Sequence, residues 1–119
     1  MGYESRVIIA RKSSISSKWV EVIAELKLSK MEGSFLDLFD KEYKGEFYDF
    51  YAHNDTLVKE DCYGKPLTYA TFNNVYKYCL DNACRQNYRR LNMLLALLGT
   101  IRTGWAGCEK EFIIIHYGY

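Results

Sequence analysis

The chain has one proline, no C-x-x-C pair, no H-E-x-x-H, no nucleophile elbow and no phosphate-binding glycine loop. Each absence removes a class of chemistry. Structural zinc needs Cys and His in close pairs. Of Cys62, Cys79, Cys84 and Cys108, only Cys79 and Cys84 approach that spacing, and residues five apart diverge on a helix. The acids between Asp37 and Asp61 fit no calcium loop. Nucleophilic catalysis needs a Cys or Ser beside a His with an orienting acid. Cys62 lies in a turn-rich stretch, and His53 and His116 lie near strand ends, so the ingredients are present without a constellation. The expectation is no catalytic residue, no metal, no cofactor and a protein that is not an enzyme. Apolar runs fall far below the roughly 18 residues a membrane span requires, and the N-terminus has no secretory pattern. That points to a cytoplasmic protein with reduced thiols.

What is there is an ordinary globular composition: 119 residues, 49% apolar, 26% charged and 16% aromatic, with eleven Tyr. Length alone predicts a single domain over 1–119. The net charge of +1 conceals an asymmetry. Residues 1–31 carry a net of +3, residues 32–61 a net of −6, and residues 85–110 a net of +4. Such a layout bears on partners rather than on fold.

Residues 6–10 (RVIIA) and 111–119 (EFIIIHYGY) are apolar, β-branched runs at the two ends and predict neighbouring core strands that leave no tail and no room for a second domain. In residues 20–29, Val20, Val22, Ala24, Leu26 and Leu28 alternate with polar neighbours, and only Ile23 breaks the pattern. A period of two predicts a half-buried strand, although its Ala, Glu, Leu and Lys also accept a helix. The polar residues 12–18 then form a hairpin loop. Residues 35–39 (FLDLF) predict one helical turn with Ser34 as its cap. Residues 46–52 predict an aromatic third strand. Turn residues from His53 to Tyr69 predict a long loop, with a short hairpin at most.

From Thr71 the period becomes helical, with Phe72, Val75, Tyr76, Cys79 and Leu80 on one side and Thr71 as cap. A second helix over about 86–101 has a stripe of Leu91, Leu94, Leu95, Leu98 and Ile101, widened by Met93 and Leu97. Gly99, Gly104 and Gly107 mark its exit. The predicted fold is α+β: one antiparallel, or mixed, four-stranded sheet over about 5–11, 20–29, 46–52 and 111–117, with two helices packed on one face.

Three surfaces are candidates for binding. The acidic segment offers Asp37, Asp40, Glu42, Glu46, Asp49, Asp55, Glu60 and Asp61 to a basic partner. Arg85, Tyr88, Arg89 and Arg90 at the start of the second helix suit phosphates and stacked bases, and cations there oppose the helix dipole. Tyr48, Tyr51, Tyr117 and Tyr119 form an aromatic patch if the sheet has an uncovered face, which favours a homodimer through a two-fold interface. A third option is a small enzyme or ligand-binding protein with a pocket between the long loop and the sheet.

The opening Met1-Gly-Tyr-Glu-Ser-Arg-Val7, the central Tyr63-Gly-Lys-Pro-Leu67 and the closing His116-Tyr-Gly-Tyr119 resemble small phage and prophage accessory proteins of Gram-positive bacteria. The resemblance carries no catalytic residue with it. It implies a setting in the bacterial host cell, in which small domains bind and disable host defence proteins. The expected function is therefore inhibition of a host defence factor, anti-CRISPR-like or of another anti-defence kind, by binding and occlusion. Its expected partner is a nucleic-acid-handling host protein, with direct nucleic-acid binding as the alternative and no membrane partner.

Overall fold

A computed structural model describes residues 4–12, 20–29, 31, 33–43, 47–48, 57–58, 60–61, 63–82 and 89–118. In chain order the elements are β1 (Ser5–Lys12), β2 (Val20–Ser29), α1 (Gly33–Leu36), β3 (Lys41–Glu42), β4 (Phe47–Tyr48), β5 (Leu57–Val58), β6 (Thr68–Thr71), α2 (Phe72–Asn82), α3 (Arg89–Gly104), a 3₁₀ turn (Glu109–Glu111) and β7 (Phe112–Gly118). The fold is α+β. Its main sheet has five strands in the order β2-β1-β7-β6-β3, every neighbouring pair antiparallel. No helix among the described residues is long and apolar enough to cross a membrane.

The two end strands are neighbours: Ser5 stands opposite Gly118 and Arg11 opposite Phe112, with no slip between. The expected third strand over 46–52 is corrected. Its described part, Phe47–Tyr48, pairs with Leu57–Val58 in a separate two-stranded ribbon and not in the main sheet. The main sheet instead takes β6, which begins within the end of the stretch expected to be loop and runs on to Thr71, and β3 forms its edge beyond β6. Thr and Tyr suit a pleated surface, but four residues of TYAT following Gly64 and Pro66 are too short to stand out by periodicity.

The alternation in β2 is also corrected. Ala24 stands opposite Ile9 and Val22 opposite Ala10, so Ile23 is an extra residue, and Leu28 is a second one between the partners of Ser5 and Arg6. A bulge moves the residues beyond it to the other face. Ile23, Ala24, Leu26 and Leu28 therefore face the helices, while Val22 packs on the opposite side. The break at Ile23 in the sequence pattern is this bulge.

α2 and α3 lie on one face. Phe72, Val75 and Cys79 of α2 and Leu91, Leu94, Leu98 and Ile101 of α3 form one core with Val7, Ile9, Ala70, Phe112 and Ile114. The stripe on α3 is narrower than its sequence suggests, since Leu95 and Leu97 are half-buried and Met93 is 55% exposed. Leu80 of α2 is likewise 52% exposed. Thr71 ends β6 and caps α2, its Oγ1 accepting from the Asn74 amide at 3.3 Å. Ser34 is no cap: it lies within α1, and its Oγ shares a hydrogen bond of 3.0 Å with the Tyr78 hydroxyl. α3 runs to Gly104, past the expected end, with the Thr100 and Thr103 hydroxyls donating back to the carbonyls of Ala96 and Gly99. Only Gly107, at φ +84, supplies the left-handed turn that releases the chain towards β7.

The face opposite the helices is buried too. Ile8, Ala10 and Ile115 have no exposed surface and pack with Tyr43, Leu67 and Ile113. A strand buried on both sides reads as a continuous apolar run rather than an alternating one, which is what residues 112–115 show.

Leu94 is fully buried and Met93 beside it is exposed. Leu94→Ala is expected to cost about 2–5 kcal/mol and Met93→Ala no more than about 0.5 kcal/mol, as read by urea unfolding of both variants. Equal costs would contradict the placement of the α3 stripe.

Candidate functional site

In the described part of the acidic segment, Asp40 and Glu42 lie at or beside β3, the edge strand of the sheet. Asp37 follows α1, Asp40 and Glu42 flank Lys41, and all three carboxylates are exposed, as is Glu60. Asp61 is different. Its Oδ1 accepts the amides of Tyr63 and Lys65 at 2.8 and 3.0 Å, and its own amide bonds the Lys65 carbonyl, so it builds the 61–65 turn. Glu46, Asp49 and Asp55 lie outside the described residues.

The arginine cluster divides in the same way. Arg85 and Tyr88 lie outside the described residues. Arg89 is exposed, whereas Arg90 donates from Nη1 to the Lys27 carbonyl at 3.1 Å, tying α3 to β2. Outside that cluster, Arg102 meets an aromatic ring, its guanidinium 4.9 Å from the Tyr76 ring centre.

Of the aromatic patch, Tyr51 and Tyr119 lie outside the described residues, and of Tyr48 only the main chain is described. Tyr117 is half-buried, with the Arg6 guanidinium 4.4 Å from its ring centre. The expected patch requires an uncovered face, and over β1 and β7 that face is closed.

Ser5 and His116 come together, 2.8 Å from Oγ to Nε2, across the paired end strands. The contact has the form of a nucleophile with its base, but Ser5 has no exposed surface and His116 only 6%. His116 also packs against Phe39, the ring centres 5.2 Å apart and the planes tilted by 47°. Burial lowers its pKa to about 4, against a weaker upward pull from the Asp61 charge. A neutral imidazole closed off from solvent serves the core here. His53 and Cys62 lie outside the described residues, as does Cys84.

The other described thiols are protonated at neutral pH. Burial pushes Cys79 up to about 12. Cys108 is raised first by its hydrogen bond to Glu111, which also takes Arg11 at 3.2 Å. Among the described residues, no group of three His, Cys, Asp or Glu side chains is placed to hold a metal ion.

One cleft was invisible in the sequence. It measures about 520 Å³ and opens at the end of the sheet where β6 passes into α2 and the 3₁₀ turn passes into β7. Lys12, Lys41 and Lys110 line it with Glu109. Its remaining polar wall is Thr71, Asn73 and Asn74, and Tyr69 contributes a ring with the Lys12 ammonium 6.0 Å from its centre. These residues come from separate elements, so no local spacing announces them.

Comparisons with protein families, with curated proteins and with solved structures find no match to the chain.

The depressed pKa of His116 sets a pH dependence. Unfolded, the imidazole takes a proton near pH 6.5; folded, it does so near 4. Between those values the unfolded chain binds the extra proton, so stability falls as pH drops through that window and is indifferent to this group above it. His116→Gln is expected to flatten the melting temperature between pH 6.5 and 4 relative to the parent chain. Identical slopes for the two proteins would contradict the burial of a neutral His116.

Proposed function

We propose that the protein is an interaction module of the phage or prophage accessory kind, which inhibits a host defence factor by binding and occluding it. The observation that carries this reading is the exposed acidic rim. Asp37, Asp40 and Glu42 are exposed within six residues of chain, the last two at the edge strand of the sheet, with Glu60 also exposed. The edge strand they flank is two residues long, so the contact is made by side chains rather than by extending the sheet. Like-signed charge on one rim draws a basic surface in at distance and fixes its orientation. A basic surface built for nucleic acid has the complementary field, and a small protein seated on it blocks access. The resemblance of the two chain ends and the Tyr63–Leu67 turn to phage accessory proteins supplies the setting. Direct nucleic-acid binding is the second reading, and the exposed guanidinium of Arg89 is what favours it.

Capture from a bacterial lysate with the immobilised full-length chain tests both. The expected result is retention of a basic nucleic-acid-handling protein, with affinity that falls as salt rises. The triple variant D37K/D40K/E42K, altered only at exposed positions, should keep its melt and lose roughly tenfold or more in affinity, about 1.4 kcal/mol. Unchanged retention by the variant would overturn the acidic rim as the contact. A chain that itself shifts DNA or RNA, with a steep salt dependence and sensitivity to Arg89→Gln, would favour the second reading.

A further inference from the structure

We propose that the cleft at the β6–α2 junction binds a small phosphorylated metabolite, of nucleotide size or below, carrying at least two negative charges. Three observations lead there.

The first is an excess of positive charge. Lys12 comes from the end of β1, Lys41 from β3 and Lys110 from the 3₁₀ turn, and all three line one cavity. None of them is in an ion pair among the described residues. Among the described residues Glu109 is the single carboxylate on the wall, so the described lining carries an excess of two positive charges. Three ammonium groups from separate elements around one concavity cost like-charge repulsion, which a multiply charged anion relieves. Lysine acts as a compact, mobile point charge, suited to a phosphate whose oxygens point in several directions.

The second is the helix that opens onto the cleft. α2 has no acid in its first turn, which reads Phe72, Asn73, Asn74. The positive end of its dipole therefore lacks the carboxylate that helices commonly place there. Thr71 occupies the Asn74 amide, and the Asn73 and Asn74 side chains remain exposed at the rim as donors and acceptors for a sugar or base.

The third is size and shape. A volume of about 520 Å³ lies inside the roughly 300–1,000 Å³ range of small-molecule sites. The three lysines line one cavity from three separate elements, which favours a compact ligand over a polymer backbone. The Tyr69 ring in the wall gives a flat apolar surface for the uncharged part.

The inference is independent of the acidic rim. Titration calorimetry and amide shift mapping on the full chain, at low salt, with ADP, pyrophosphate and inorganic phosphate as probes, test it. Expected are binding of ADP and pyrophosphate at micromolar to low millimolar concentration and shifts confined to residues 12, 41, 69–74 and 109–113. K41Q/K110Q should weaken that binding roughly tenfold or more with an unchanged melt, while Arg89→Gln leaves it intact. ADP binding tighter than pyrophosphate identifies a nucleotide; equal affinities identify the phosphate group alone as what is read. The proposal is overturned if no probe binds in the millimolar range. It is equally overturned if K41Q/K110Q binds as the parent does, if the shifts fall on α3, or if a single-stranded oligonucleotide occupies the cleft more tightly than ADP. The same K41Q/K110Q protein should still capture the lysate partner, and D37K/D40K/E42K should still bind ADP, so the two readings fail separately.

Discussion

The pairing of β1 with β7 is the constraint on which the other elements depend. It joins residues 5–11 to residues 112–118 and places both strands in the interior of the sheet, between β2 on one side and β6 on the other. Closing a loop of nearly the whole chain costs entropy that grows only slowly with length, and Ile8, Ile9, Ile114 and Ile115, all fully buried, offset it. Each such side chain contributes on the order of 1.5–3 kcal/mol. With that pair formed, β2 adds as a hairpin on β1, and β6 adds on β7 and leads straight into α2. Both faces of the pair are covered, so these two strands act as the middle layer of the molecule rather than as the floor beneath two helices.

The same pairing positions both surfaces that carry chemistry. Because β1 ends where β7 begins, Lys12 and Lys110 meet at one end of the sheet, and β6 delivers the start of α2 beside them. β3 adds Lys41 to the cleft and turns Asp40 and Glu42 outwards along the edge. The acidic rim and the basic cleft are thus neighbours on one strand of two residues, which explains how a chain of net charge +1 carries two opposed local fields.

Much of this was legible in the residues. The end strands, the hairpin of β1 with β2, the helical stripe of Leu91, Leu94, Leu98 and Ile101 and the Thr71 cap all rest on local periodicity and capping chemistry, which a sequence displays directly. The bulge at Ile23 appeared as a broken alternation, though its effect on Val22 needed the partner strand. The second buried face was written in the unbroken run at residues 112–115, since half-buried strands alternate and doubly buried ones do not. β3 and β6 were not legible. Two and four residues are too few for a period, and what makes them strands is the edge that β7 presents to β6 and that β6 in turn presents to β3. The candidate sites divide along the same line. Asp37, Asp40 and Glu42 are exposed, which their sequence pattern did not decide, and Asp61 and Arg90 are engaged in a turn and a helix–strand contact that depend on the fold. The cleft depends on it entirely.

Native-state hydrogen exchange tests the dependence on the end-strand pair most directly. If β1 and β7 hold the structure together, the amides of Ile8, Ile9, Ile114 and Ile115 exchange only through global unfolding, with an opening free energy equal to the stability measured by denaturant. Those of Lys41 and Glu42 at the edge open locally and much sooner. Amides of β7 that exchange more readily than those of Leu94 and Leu98 in α3 would contradict the account and make the helices, not the paired ends, the last structure to open.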